Sequence, residues 1–158
     1  MKNTIYDRNG LTHGIDLFNR AHFYDAHEVL EDVWRPSPRG SDTRRHLQGL
    51  VQLAVALHHE SRGNFVGARS VLDRGLRNLA GAEDSFPELD LERLRTELGE
   101  WQRHLASTSV AGTSVAGTSV AASLAGGSLT GKHPRPALPR ITVRNRARRQ
   151  SPVKISKK

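Results

Sequence analysis

The chain has 158 residues, no cysteine and a net charge of +8 that is very unevenly spread. Residues 1–106 carry 14 Lys and Arg against all 16 Asp and Glu, a net of −2, whereas residues 107–158 carry 10 Lys and Arg and no acid, a net of +10. Disulfides and thiolate zinc sites are therefore excluded, the length suits one domain plus an appendage, and the basic character belongs to the appendage alone.

No secretory leader is expected in Met1–Arg8, which has no apolar core. The longest mainly apolar run, Leu47 to Leu57, is broken by Gln48 and Gln52 and is too short to cross a bilayer. A cytoplasmic protein is the expectation that follows.

Helical spacing recurs five times, and no stretch alternates as a strand should. The first helix is expected from about Leu11 to His22, with Leu11, Ile15 and Phe18 on one face. The second runs from about Tyr24 to Trp34 and is stopped by Pro36 and Pro38. Ser41 or Asp42 caps the third, which extends to about Arg62 and ends at Gly63-Asn64. The fourth runs from about Phe65 to Ala80. The fifth, capped by Asp90, carries Leu91, Leu94, Leu98, Trp101 and Leu105 on one stripe.

The third helix is apolar over nearly its whole circumference between Leu47 and His58, so it belongs at the centre. Gly49, Ala54 and Ala56 would let neighbouring backbones approach it closely. The fold class is thus all-α: a compact bundle of five or six helices around a buried central helix, occupying residues 1–106. Phe23, Ala26, Val29 and Leu30 also recur as Phe65, Ala68, Val71 and Leu72, an offset of 42 residues. That pattern fits either a duplicated helical hairpin or the spacing common to amphipathic helices.

After Ala106 the chain changes. Three tandem copies of a Thr-Ser-Val-Ala-Gly unit, the last ending in alanine, fall within residues 107–131 and predict a flexible linker. Residues 132–158 are rich in proline and arginine and predict a disordered tail. Its cations, among them Lys132, Arg135, Arg140, Arg144, Arg146, Arg148 and Arg149, suit a nonspecific, salt-sensitive contact with nucleic-acid phosphates or with another acidic partner.

The densest polar signal is Ala26-His27-Glu28-Val29-Leu30-Glu31-Asp32-Val33-Trp34. His27 and Glu31 lie one turn apart just past the edge of the apolar stripe, with Glu28 further out. On the central helix Gln48, Gln52 and His59 form a polar stripe. Both glutamines are expected to be roughly three-quarters buried or more. Buried polar groups need partners, so the second helix is expected to face this stripe, with His27 and Glu31 bonded to Gln48 and Gln52. Three functions fit the cluster. It is a polar network that fixes helix register in a structural or interaction module. Or it is a metal site with His27, Glu31 and His59 as candidate ligands. Or it is an acid–base pair of His27 and Glu31. The cofactor, if any, is left open by the sequence.

These residues resemble the domain of unknown function 309 family over about residues 11–80. The likeness rests on Leu17-Phe18-Asn19, on Phe23 through Glu31 with Trp34, on Leu47-Gln48-Gly49-Leu50-Val51-Gln52-Leu53-Ala54, and on Gly63-Asn64 with Gly67-Ala68. One departure is His22, at a turn where the family commonly has glycine. The resemblance implies a compact helical fold with a central helix and supplies no reaction.

Overall fold

The computed structural model describes residues 6–111 and 134–144, with side chains to Thr108 in the first stretch. Five helices follow one another: α1 (Arg8–Asn19), α2 (Phe23–Trp34), α3 (Asp42–Ser61), α4 (Phe65–Asn78) and α5 (Leu91–Ala111). The all-α expectation holds. Pairing outside the helices is limited, among the described residues, to an isolated antiparallel bridge between Leu89 and Val143.

Caps set the helix starts. Asp7 accepts a bond from the Asn9 amide, so α1 begins three residues before its first apolar position. Ser41 accepts from the Arg44 amide at the head of α3, and Asp90 accepts from Arg93 at the head of α5. Gly63, at φ 76°, ends the α3 hairpin arm in the left-handed region, and Asn64 caps α4. The matching turn between α1 and α2 places Ala21 at φ 64°. Ala21 lies 42 residues before Gly63, so the offset seen in the helices extends to their turns. In this turn alanine, rather than the neighbouring His22, occupies the position that favours glycine.

The hairpins α1–α2 and α3–α4 pack through α3, which makes its most extensive contacts with α4 and α2. Leu47, Leu50, Leu53, Ala54, Ala56 and Leu57 are all essentially inaccessible, which puts α3 at the centre as expected. Its enclosure is incomplete: Gln48, Gln52, Val55 and His59 form one half-buried stripe. Small residues set two close approaches. A Cβ on Gly14 would lie 2.7 Å from Leu30, and one on Gly49 would lie 3.1 Å from the carbonyl oxygen of Gly75.

Two features of the C-terminal part add to the expected arrangement. Helix α5 continues past Ala106 into the first Thr-Ser-Val-Ala-Gly unit. Residues 134–144, expected within the disordered tail, lie in an extended form against the bundle, with Pro139 and Ile141 buried. Pro134, Pro136 and Pro139 have no amide hydrogen to satisfy and little backbone freedom to lose, so this stretch orders at lower entropic cost than its composition suggests. The remaining linker and tail, residues 112–133 and 145–158, fall outside the described residues.

Candidate functional site

The motif on α2 is held together largely within its own helix. Glu31 divides its carboxylate: Oε2 lies 3.2 Å from His27 Nε2, and Oε1 accepts from Arg35 at 3.1 Å. Both pairs are one turn apart, where helix geometry brings side chains together. Glu28 is exposed, and its carboxylate beside the Tyr24 hydroxyl raises the pKa of that group. The Tyr24 ring lies between those of His27 and His58, at 6.1 and 5.6 Å, and His58 is half-buried rather than a core residue.

Trp34 has a different role. The Arg44 guanidinium lies 4.4 Å from the centre of its ring. The same guanidinium donates to the carbonyls of Trp34, Arg35 and Ser37 at 3.0, 2.8 and 2.7 Å. Arg45, the next residue, donates to the carbonyls of Asn78, the last residue of α4, and of Ala80 just beyond it. Because α2 and α4 both run antiparallel to α3, their carbonyl ends lie beside its start. The two arginines satisfy those ends and oppose their negative dipoles. A pair of cations in the first turn of a helix is unfavourable for that helix's own dipole, and this was the available sequence signal for Arg44 and Arg45.

The glutamine stripe meets a different helix from the one expected. Gln52 Oε1 accepts from Asn78 Nδ2 of α4 at 2.9 Å, and among the described residues neither His27 nor Glu31 bonds Gln48 or Gln52. The reason is angular. Helix α2 lies over Arg44 and His58, and Gln52 is turned roughly 100° from that line, towards α4. Both glutamines are half-buried, less enclosed than expected. His59 Nδ1 lies 3.2 Å from Asn64 Nδ2 at the opening of α4. His27, Glu31 and His59 therefore do not converge, and among the described residues no three His, Asp or Glu side chains stand close enough to share a metal ion. An open cavity of about 300 Å³ beside Gln48 is lined also by Ser41, Asp42, Arg44 and Arg45. It lies at the end of α3 away from Tyr24 and His58.

His46 is a buried polar residue that the sequence reading missed, at 2% exposure. Its Nε2 lies 3.0 Å from the Arg45 guanidinium and 3.3 Å from the Ala80 carbonyl, and its Nδ1 lies 2.7 Å from Ser85 Oγ, so both ring nitrogens have polar partners. Burial first, and then the Arg45 charge, lower the His46 pKa below its ordinary 6.5. The unfolded chain then binds the proton more readily than the folded one. Its contribution is complete above about pH 6.5 and declines as the pH falls below that value towards the folded pKa. Urea midpoints should accordingly fall between roughly pH 7.5 and 5.5, and His46→Gln should show a smaller fall. An unchanged pH dependence in His46→Gln would show that other groups carry it.

The most extensive polar site lies elsewhere, along α5. Residues 134–144 run antiparallel to that helix. Trp101 Nε1 donates to the Ala137 carbonyl at 2.9 Å, and the Arg140 amide donates to Glu97 at 2.9 Å. Asn19, at the end of α1, grips Ile141 twice: Nδ2 donates to its carbonyl and Oδ1 accepts from its amide, both at 2.9 Å. The Asp90 amide donates to the Thr142 carbonyl at 2.8 Å, and the Arg144 amide donates to the Glu88 carbonyl at 2.7 Å. These six bonds read main chain. Two side chains are read as well. Ile141 joins the core at 2% exposure. Arg135 forms a forked pair with Glu60, through Nε at 2.9 Å and a terminal nitrogen at 2.8 Å, and this holds its pKa up.

Glu60 is 7% exposed, which is unusual for a carboxylate. It follows Leu53, Ala56 and Leu57 on the core side of α3, at the position that the 42-residue offset matches to buried Phe18. An acid on an apolar stripe was the signal that could have disclosed it. Its arginine partner lies 75 residues away, which no local pattern reveals.

Fold and site together describe a small all-α bundle that carries an extended segment of its own chain. Residues 11–71 match the family described as domain of unknown function (DUF309), in agreement with the likeness read from the four motifs. An uncharacterized protein of Aquifex aeolicus (strain VF5) is 32% identical over 83 residues, which are 52% of this chain and 25% of that protein. The uncharacterized protein YpuF of Bacillus subtilis (strain 168) is 28% identical over 91 residues, 58% of this chain and 52% of that protein. The chain thus matches between a quarter and about half of the length of these relatives. No activity is established for the family or for these relatives, and no helix among the described residues is long and apolar enough to cross a membrane.

Proposed function

We propose that this protein is an interaction module whose working surface is the groove along α5, and that the α2 motif belongs to its frame. One observation carries the reading: six hydrogen bonds from three separate parts of the bundle, the end of α1, the stretch before α5 and α5 itself, converge on the backbone of one extended segment. Main-chain bonding of an extended chain with a few side-chain pockets is the physical basis of peptide recognition. The enzyme reading draws less support. Glu31 spends its oxygens on His27 and Arg35, and no hydroxyl bonds His27 among the described residues.

Nucleic-acid binding by the basic tail also draws less support. Arg135 is engaged by Glu60 through its guanidinium, whereas the bonds that tie Arg140 and Arg144 to the bundle are made by their amides. That reading would rest on Lys132, Arg140, Arg144, Arg146, Arg148, Arg149 and the lysines beyond them, without Arg135. A cytoplasmic setting accords with the lack of cysteine.

Amide exchange on the full chain tests the proposal. The amides of Arg140, Ile141 and Arg144 should be protected, and Asn19→Ala with Glu60→Gln should lower that protection selectively. His27→Ala should lower the stability of the bundle without that selectivity. Exchange of these three amides at the rate of an unstructured chain would overturn the reading.

A further inference from the structure

If the groove is an interaction site, the segment now lying in it is a tethered occupant. We infer that residues 134–144 act as a built-in competitor for an extended peptide of another protein, one that presents arginine, then proline four residues on, then isoleucine or valine two residues after that. The inference rests on the interaction reading above and adds the class of ligand and its regulation.

The ligand class follows from what the groove reads. Glu60 is negative and almost fully enclosed, and Arg135 covers it with a forked pair. A lysine would supply a single point charge, whereas arginine matches both carboxylate oxygens. Six residues later Ile141 enters the core, with buried Pro139 two residues before it. Between these anchors Ala137 is exposed and held through its carbonyl, and Leu138 is 38% exposed. The groove is therefore strict at three positions and permissive between them. Its remaining bonds fall on backbone groups that any extended peptide offers.

Tethering follows from chain length. Trp101 contacts both Arg135 and Ala137, and α5 continues ten residues past Trp101, a rise of roughly 15 Å. Residues 112–133 join that point to the segment, and 22 residues reach up to about 75 Å when extended. The connection is several times longer than the gap, so its length does not prevent the segment from leaving the groove and returning to it. Such a tether holds its segment at an effective concentration of order millimolar. A partner at lower concentration displaces it only by binding more tightly. A second copy of the same segment, with equal contacts, does not compete well at micromolar concentrations.

A fluorescent peptide of residues 134–144 is titrated into three forms of the full chain: wild type, Arg135→Glu, and Arg135→Glu combined with Ile141→Asp. The substitutions weaken the tethered copy and leave every groove residue unchanged. Affinity should rise from wild type to the single variant, and reach at least about tenfold above wild type in the double variant. Glu60→Gln added to the Arg135→Glu chain should lower the affinity again. A scrambled peptide of the same composition should bind none of them as tightly. Equal affinity for wild type and both variants would overturn the competitor and leave the groove a binding site. Absence of peptide binding to all three would overturn the interaction reading itself. Should the double variant unfold, as judged by circular dichroism, Arg135→Glu decides alone, since it alters an exposed side chain and keeps Ile141 in place. Binding of the scrambled peptide as tightly as the true one would reduce the effect to charge attraction and overturn the stated ligand class.

Discussion

Replacing Trp101 with alanine should cost about 3–5 kcal/mol of folding stability and release residues 134–144 as well. Trp101 is among the largest fully buried side chains, and its ring packs edge-on against His104 at 5.7 Å. Its outer side faces the docked segment, through the Ala137 carbonyl and the Arg135 guanidinium 5.3 Å from the ring centre. One residue thus belongs both to the core and to the groove, and alanine removes both sets of contacts. Phenylalanine separates them. It keeps most of the apolar volume and removes the indole N–H, so the lost bond should cost about 0.5–1.5 kcal/mol. That cost should appear mainly as faster exchange at the Arg140 and Ile141 amides. Urea midpoints and amide exchange on both variants provide the check. A loss below about 1 kcal/mol in Trp101→Ala would be inconsistent with a fully enclosed tryptophan.

What the sequence disclosed and what it concealed divide along a physical line. Local features were legible. Ser41, Asp90 and Gly63 mark helix boundaries because capping and left-handed closure act within a few residues. The apolar circumference of α3 placed it at the centre for the same kind of reason. Direction was not legible. The stripe of Gln48, Gln52 and His59 is plain in the sequence, but which neighbour it meets depends on where α2 and α4 cross α3. Asn78, rather than His27 or Glu31, became the partner of Gln52. The seat of residues 134–144 was concealed more deeply. Their bonding partners, Asn19, Glu60, Asp90 and Glu97, are spread through the bundle, while the segment itself has the composition of a disordered tail. Prolines that break helices and remove amide donors also make an extended ligand inexpensive to order.

A larger side chain at Gly49 should destabilise the bundle more than any change on its surface. A Cβ there would lie 2.7 Å from Leu79 Cγ and 3.1 Å from the Gly75 carbonyl oxygen. The leucine can rotate, but the carbonyl is backbone and yields only if α3 and α4 separate. These two helices form the most extensive contact in the fold, so separation disturbs Leu53, Leu72 and Leu79 together. Overpacking costs about 1–3 kcal/mol, and alanine recovers about 1 kcal/mol of it through its higher helix propensity. Gly49→Ala should therefore be mildly destabilising, and Gly49→Leu should lose about 3 kcal/mol or more. Gly75→Ala should be mildly destabilising at most, because its nearest neighbours, Leu53, Gln52 and the Gly49 carbonyl oxygen, begin at 3.2, 3.3 and 3.3 Å. Gly99, on α5, is the control: nothing lies within 4 Å of its Cβ position. Gly99→Ala should raise stability by up to about 1 kcal/mol. Thermal and urea unfolding of the four variants would order them. If Gly49→Leu proved as stable as Gly99→Ala, α3 and α4 would not be in contact at Gly49 and Gly75, and the central position of α3 would be lost with that contact.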